Sequence, residues 1–197
     1  MKTLSCLFLL GVVLMLGSCV PEFENPLPCE RVEADSRLLD DWRSAPNADD
    51  EQSRLAFHAR SNGWYDIVFL TGVNRRSGTN GLECTIYEGF STRVNDRSFL
   101  CLRLRQRDFA DRTDAPTNYR FLIAGYKVGR QNLAIRILSE SKVRNLIEAG
   151  VLQGQSGQSH TGGAVVVTSA PEALRDAIGR IPDEDLLGEP MRFRRAR

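Results

Sequence analysis

Histidine is scarce in this chain of 197 residues: only His58 and His160 are present. Neither His-Glu-x-x-His nor Cys-x-x-Cys occurs, so the common zinc and dithiol frameworks are missing. Lysine is nearly absent too, three residues against 23 arginines, and a formal charge of +1 gives no global basic field to recruit nucleic acid. No apolar run reaches the ~20 residues that a helix needs to cross a bilayer. The chain is therefore read as having no metal, no cofactor and no nucleic-acid partner.

What is present is most concentrated at the N-terminus. Lys2 gives a short positive start, and Leu4 to Leu16 is almost continuously apolar, about a dozen residues, the length of a signal-peptide core. Leu16-Gly17-Ser18-Cys19 follows. Two small residues before a cysteine suit a narrow peptidase pocket beside the scissile bond. Read from the residues alone, this is a cleaved signal peptide, and Cys19 is either incidental or the point of attachment. Cys6 lacks the small residues before it and goes with the leader.

The Leu16 to Cys19 stretch resembles the lipobox of bacterial lipoproteins at all four positions. That resemblance implies that residues 1–18 are removed and that Cys19 becomes the lipidated first residue of the mature protein. Two or more chains on one cysteine hold a protein stably at a bilayer, whereas one does so only marginally. Val20 stands where Asp commonly marks inner-membrane retention, so the resemblance implies the periplasmic face of an outer membrane.

Residues 19–34 contain "VPEFENPLPCERVEA", with three prolines and no hydrophobic period, which reads as an extended tether. Residues 35–197 form one β-rich domain in this reading. Asp35 can cap a helical turn that carries Leu38, Leu39 and Trp42 inward. "RLAFHAR" and "WYDIVFL" alternate about Asn62-Gly63 and predict a hairpin. "LECTIYEGF", running to Val94, and "SFLCLRLRQ" predict a second about Asn95-Asp96, with Leu100, Leu102 and Leu104 on one face. "YRFLIAGYKV" and "NLAIRIL" predict a third. Val143, Leu146, Ile147 and Val151 then form one helical stripe after Ser139 or Ser141. "QGQSGQSHTGG" reads as a flexible link, "AVVVTS" as a buried strand, and Pro171 as the first turn of a second helix. In "MRFRRA", Met191, Phe193 and Arg195 alternate with Arg192 and Arg194, which fits a closing strand. If that strand returns beside the first, one of its arginines lies across Trp42.

The fold class expected is α+β, mostly antiparallel β: about eight strands in a calycin-like barrel or a strongly curved sheet, with two late helices. "ENPLP", "SRLLDDW", "GWYDIVFL", "YEGF" and "FLCLRLR" together with the lipobox resemble a group of uncharacterised bacterial lipoproteins. Trp42 in "LLDDW" resembles the Gly-x-Trp opening of lipocalins, with Asp40 at the Gly position.

After Cys19, three cysteines remain: Cys29, Cys84 and Cys101. Cys84 and Cys101 lie in neighbouring predicted strands and are the candidate disulfide, although the Asn95-Asp96 turn brings Cys101 nearer Phe90. The other reading is two half-buried thiols. His58 lies on the polar side of its strand, and His160 lies in a link too loose to preorganise a base. "GQSGQ" is a near miss for a nucleophile elbow, with the glycine after Ser156 one position early. Asp108, Asp111 and Asp114 recur every third residue, unlike a calcium loop. Asp66 and Glu88 can face a barrel interior. The leading expectation is a non-enzymatic, lipid-anchored envelope protein that binds a small apolar ligand or an envelope partner. The alternative is an envelope hydrolase using carboxylates or Ser156.

Overall fold

Three tight turns organise most of the chain. In the computed structural model, residues 20–29, 32–46, 51–74, 83–109, 112–114, 120–157 and 165–196 are described. The strands are β1 (Glu22–Phe23), β2 (Asp41–Ser44), β3 (Glu51–Ala59), β4 (Tyr65–Asn74), β5 (Glu83–Val94) and β6 (Arg97–Phe109). β7 (Arg112–Asp114), β8 (Phe121–Val128), β9 (Asn132–Ile137), β10 (Gly154–Ser156), β11 (Val165–Val167) and β12 (Met191–Arg195) complete them. Three helices, α1 (Glu140–Glu148), α2 (Pro171–Arg180) and α3 (Asp183–Leu186), lie between β9 and β12.

The β3–β4 turn rests on Gly63, whose φ of +80° suits glycine. A Cβ there would also stand 2.3 Å from the Val32 carbonyl oxygen. The β5–β6 turn uses Asn95 at φ 54°, and the β8–β9 turn spans residues 129–131. Each predicted hairpin forms where the alternation places it.

Eight strands close antiparallel in the order β2-β3-β4-β5-β6-β8-β9-β12, and β12 pairs back with β2. Closure removes the open edges of a long sheet. This is the calycin-like barrel with late helices. β1, β11 and β10 add a short extension beside β8.

The inward pleat is a dry core of Trp42, Leu55, Phe57, Tyr65, Ile67, Leu100, Leu133 and Phe193. A second core lies outside the barrel. There Phe99, Cys101 and Ile123 face outward but are covered by α1, α2, α3 and the N-terminal segment through Phe23, Leu27, Val143, Leu174 and Leu187. Only part of the barrel's outer wall is therefore wet.

Several local expectations change. Residues 20–29 and 32–34 do not stand off as a tether: Phe23 and Leu27 are 0 and 1 % exposed, and β1 is hydrogen-bonded into the sheet. Burial of two large apolar side chains outweighs the extended preference of the prolines. Trp42 belongs to β2, not to a helical turn, while Leu38 is buried and Leu39 is exposed. Val151 is exposed beyond the end of α1, and Ser139 makes no side-chain cap. Part of the supposed link, Gly154–Ser156, is β10, paired with β11.

Candidate functional site

The two ends of the barrel differ. At one end the chain crosses beneath the strands as residues 33–40 and seals them. The Asp35 amide donates to the Tyr65 hydroxyl, and Tyr126 Oη donates to Asp35 Oδ2 at 3.0 Å. Ser91 Oγ lies 3.2 Å from Tyr65 Oη and donates to the Glu33 carbonyl at 3.3 Å. Burial pushes both tyrosine hydroxyls up, so they remain protonated donors. The hydrogen bonds from Arg37 hold Asp35 below the usual carboxylate range.

Trp42 completes this floor. Its indole Nε1 donates to the Leu38 carbonyl at 2.9 Å. Arg195 lies opposite Trp42 in the β12–β2 register, with its guanidinium carbon 5.0 Å from the ring centroid. The same guanidinium donates to the Arg37 carbonyl at 3.0 Å, and its Nε lies 3.1 Å from Asp40 Oδ2. Asp40 thus balances the arginine over the tryptophan.

At the opposite end the core face carries buried Thr85, opposite Phe69 and donating to Glu83 Oε1 at 3.3 Å, among apolar side chains that are only half-buried. They are Phe69 on β4, Leu102 and Leu104 on β6, Leu122 on β8, Ile137 on β9 and Met191 on β12. Their registers place them on the core face: Phe69 is opposite Leu55, Leu104 opposite Tyr87, and Met191 opposite Ile135. Around a barrel, these positions form an apolar rim above a filled floor. Such a rim offers burial to a small apolar molecule.

The residues expected to carry chemistry lie elsewhere. Asp66 and Glu88 face outward, opposite each other on β4 and β5. Arg60 pairs with Asp66 and reaches Glu88 at 3.0 Å; Arg105 reaches Asp66 at 3.1 Å, and Arg103 bonds Glu88. The Arg60 hydrogen bonds lower Asp66. For Glu88, burial pushes upward, but the hydrogen bonds from Arg103 and Arg60 prevail and hold it low. Both carboxylates are locked in the ionised form, which suits a structural network and not a general acid.

His58 is exposed on β3, opposite Asp66. Ser156 stands on β10 opposite Val165, in the sheet extension and away from His58. His160 and Asp111 lie outside the described residues, as do the side chains of Asp108 and Asp114. Asp183, the first residue of α3, is half-buried and paired with Arg97 at 3.0 Å. Among the described residues, no group of three His, Cys, Asp or Glu side chains converges to hold a metal ion.

Cys84 and Cys101 are not brought together. Cys84 lies opposite Asp108, whereas Cys101 lies opposite Phe90. Six residues along β5 amount to ~20 Å, well beyond the span of a disulfide. The Cys101 thiol is pushed up to about 12 by burial, so it is inert at neutral pH.

Comparison with protein-family models, curated proteins and solved structures finds no match to this chain. Among the described residues, no helix is long and apolar enough to cross a membrane. The outward wall carries Arg43, Arg54, Asp66, Glu88 and Arg194. Charge at such positions costs up to ~2–4 kcal/mol against hydrocarbon, so this wall suits water or headgroups.

Proposed function

We propose that this protein is a lipid-anchored envelope protein whose barrel takes a small apolar ligand at its open end. The half-buried ring of Phe69, Leu102, Leu104, Leu122, Ile137 and Met191 carries the ligand part of the reading. Individual exposed leucines are ordinary, but a ring of them at the mouth of a sealed barrel leaves apolar area that a ligand can dehydrate. The Leu16 to Cys19 motif supports the anchor and, with it, an outer-membrane address on the periplasmic face. The hydrolase reading draws no support from Asp66, Glu88 or Ser156, because the first two are paired with arginines on the outer wall and the third faces no base among the described residues.

Two measurements test the two halves separately. Metabolic labelling with palmitate should mark the parent chain and not Cys19→Ala; persistent labelling of the variant refutes the anchor. Organic extraction of the protein purified from the envelope, followed by mass spectrometry, should recover a small apolar compound in molar proportion. Recovery of a water-soluble polar metabolite instead would refute the ligand class.

A further inference from the structure

The outer wall across β2, β12, β9 and β8 carries a hollow that has no part in the apolar rim. Ala134 on β9 is opposite Arg192 on β12 and opposite Lys127 on β8. Two residues along β12, Arg194 is opposite Asn132 on β9 and Arg43 on β2. Trp42, Leu133 and Phe193 point into the core, so these alternate residues lie outside. Two strand spacings set the Cα atoms of Arg192 and Lys127 ~10 Å apart, with only the Ala134 methyl between them. A small side chain framed by long cationic ones leaves a depression, here of about 920 Å³ and bordered by Arg43, Lys127, Ala134, Arg192 and Arg194. That volume falls among the ~300–1,000 Å³ typical of small-molecule sites.

The polar groups around the hollow are unmatched. Among the described residues, Arg43, Arg192 and Arg194 have no carboxylate partner, and Arg43 Nε is buried with no hydrogen bond. Lys127 Nζ lies 4.0 Å from Asp183 Oδ2, a carboxylate already held by Arg97 at 3.0 Å. Gln52 on β3 also lines the depression. It is 8 % exposed, yet its side-chain amide makes no hydrogen bond among the described residues. Buried polar side chains are nearly always paired, so an unpaired one facing a hollow points to a missing partner. The wall built from β4, β5 and β6 is the contrast, since Arg60, Arg103 and Arg105 are matched there to Asp66 and Glu88. Like charges directly opposite across a sheet, as Arg43 and Arg194 are, destabilise it, and an anion between them offsets that repulsion.

We propose that this hollow binds a soluble phosphate ester, with the phosphate held by Arg192, Arg194 and Lys127 above Ala134 and the neutral polar part reaching Gln52. A guanidinium fork takes two phosphate oxygens at once. A phosphate ester brings nearly two charges and three acceptor oxygens, which answers three cations better than one carboxylate does. Three strand spacings, ~14 Å, separate β9 from β3, so a molecule that reaches both ends is longer than inorganic phosphate. The amide of Gln52 both donates and accepts, which suits a hydroxyl or a carbonyl on that far part. The hollow is concave, and it encloses a small molecule better than it lies on a flat bilayer. This site is independent of the rim and of the lipid anchor.

The test uses the full chain purified in neutral detergent, with glucose 6-phosphate as the probe. Inorganic phosphate, glucuronate and glucose are compared at matched ionic strength. Arginine modification by phenylglyoxal is read residue by residue by peptide mass spectrometry. The expected result is several-fold slower modification of Arg43, Arg192 and Arg194 with glucose 6-phosphate, less protection with inorganic phosphate, and none with glucuronate or glucose. Arg37, exposed and paired with Asp35, should react alike throughout. Ala134→Leu fills the hollow from the outer face and should abolish protection while melting like the parent. The double variant R192E/R194E, altered on exposed side chains, should lose the protection of Arg43. Gln52→Leu should weaken protection by glucose 6-phosphate and leave that by inorganic phosphate unchanged.

Absence of protection by glucose 6-phosphate overturns the proposal. Equal protection by glucuronate would show attraction of any anion, and equal protection by inorganic phosphate would show that the ester part is not recognised; either overturns it. Full protection retained in a folded Ala134→Leu chain places the anion elsewhere and does the same. Protection found only with phosphatidylglycerol vesicles would assign the arginines to a membrane surface and likewise refute a soluble ligand.

Discussion

Arg195 and Trp42 allow closure of the barrel to be tested one side chain at a time. Arg195→Met keeps the aliphatic stem but removes the guanidinium over the indole, and should cost ~0.5–2 kcal/mol. Thermal unfolding should therefore fall by a few degrees, while Arg197→Ala should leave it unchanged. This contact was legible in the sequence, because the alternation in "MRFRRA" places Arg195 on the same pleat as Phe193. The orientation of Asp66 and Glu88 was not. In "WYDIVFL" both alternating faces contain apolar residues, and only closure decides that Tyr65, Ile67 and Phe69 point inward. Because the native values of Asp66 and Glu88 lie below their ordinary 3.8 and 4.5, their contribution is complete above those values. It is lost as the pH falls through the lower native values. Stability measured by denaturant titration should fall below about pH 4, and Asp66→Asn/Glu88→Gln should flatten that fall.

At the scale of elements, β12 is the piece without which the barrel cannot close, since it pairs with β9 on one side and β2 on the other. Deleting residues 191–197 should expose two strand edges and produce aggregation, well beyond the effect of losing the Arg195 contact. A truncated chain that melts like the parent would contradict that topology. Gly89 tests the packing of β5 against β6 more finely. A Cβ there would lie 2.1 Å from the Cys101 carbonyl oxygen, whereas at Gly125 it would meet the movable Leu187 Cδ1 at 2.9 Å. Gly89→Ala should thus destabilise more than Gly125→Ala in parallel melts. The hairpins were legible because Asn-Gly, Asn-Asp and Gly-containing turns fix their centres, and the Asn95-Asp96 turn already opposes Cys101 to Phe90 by counting. The N-terminal segment was misread because proline content describes backbone preference and not the burial of Phe23 and Leu27. Phe23→Ala should accordingly cost ~3–5 kcal/mol, the range for a buried aromatic. A solvated tether would register almost nothing.

Over the whole molecule, the sequence pattern specifies an inside and an outside but not where the inside stays wet. The floor around Trp42 and Leu38 is sealed by a segment whose contacts join residues far apart in the chain, such as Asp35 with Tyr126. The apolar rim is likewise assembled from four separate hairpin strands and the closing strand, so no local motif announces it. What could be read was each contributor separately, Leu102 and Leu104 most clearly. The rim is the central claim, and a photoreactive fatty-acid analogue tests it most directly. The full chain is irradiated with the analogue, and the cross-linked residues are mapped by mass spectrometry. The account predicts cross-links at Phe69, Leu104, Leu122 and Met191, lost in Leu122→Arg and retained in R192E/R194E. Cross-links confined to the N-terminal peptide or to the outer wall would contradict it.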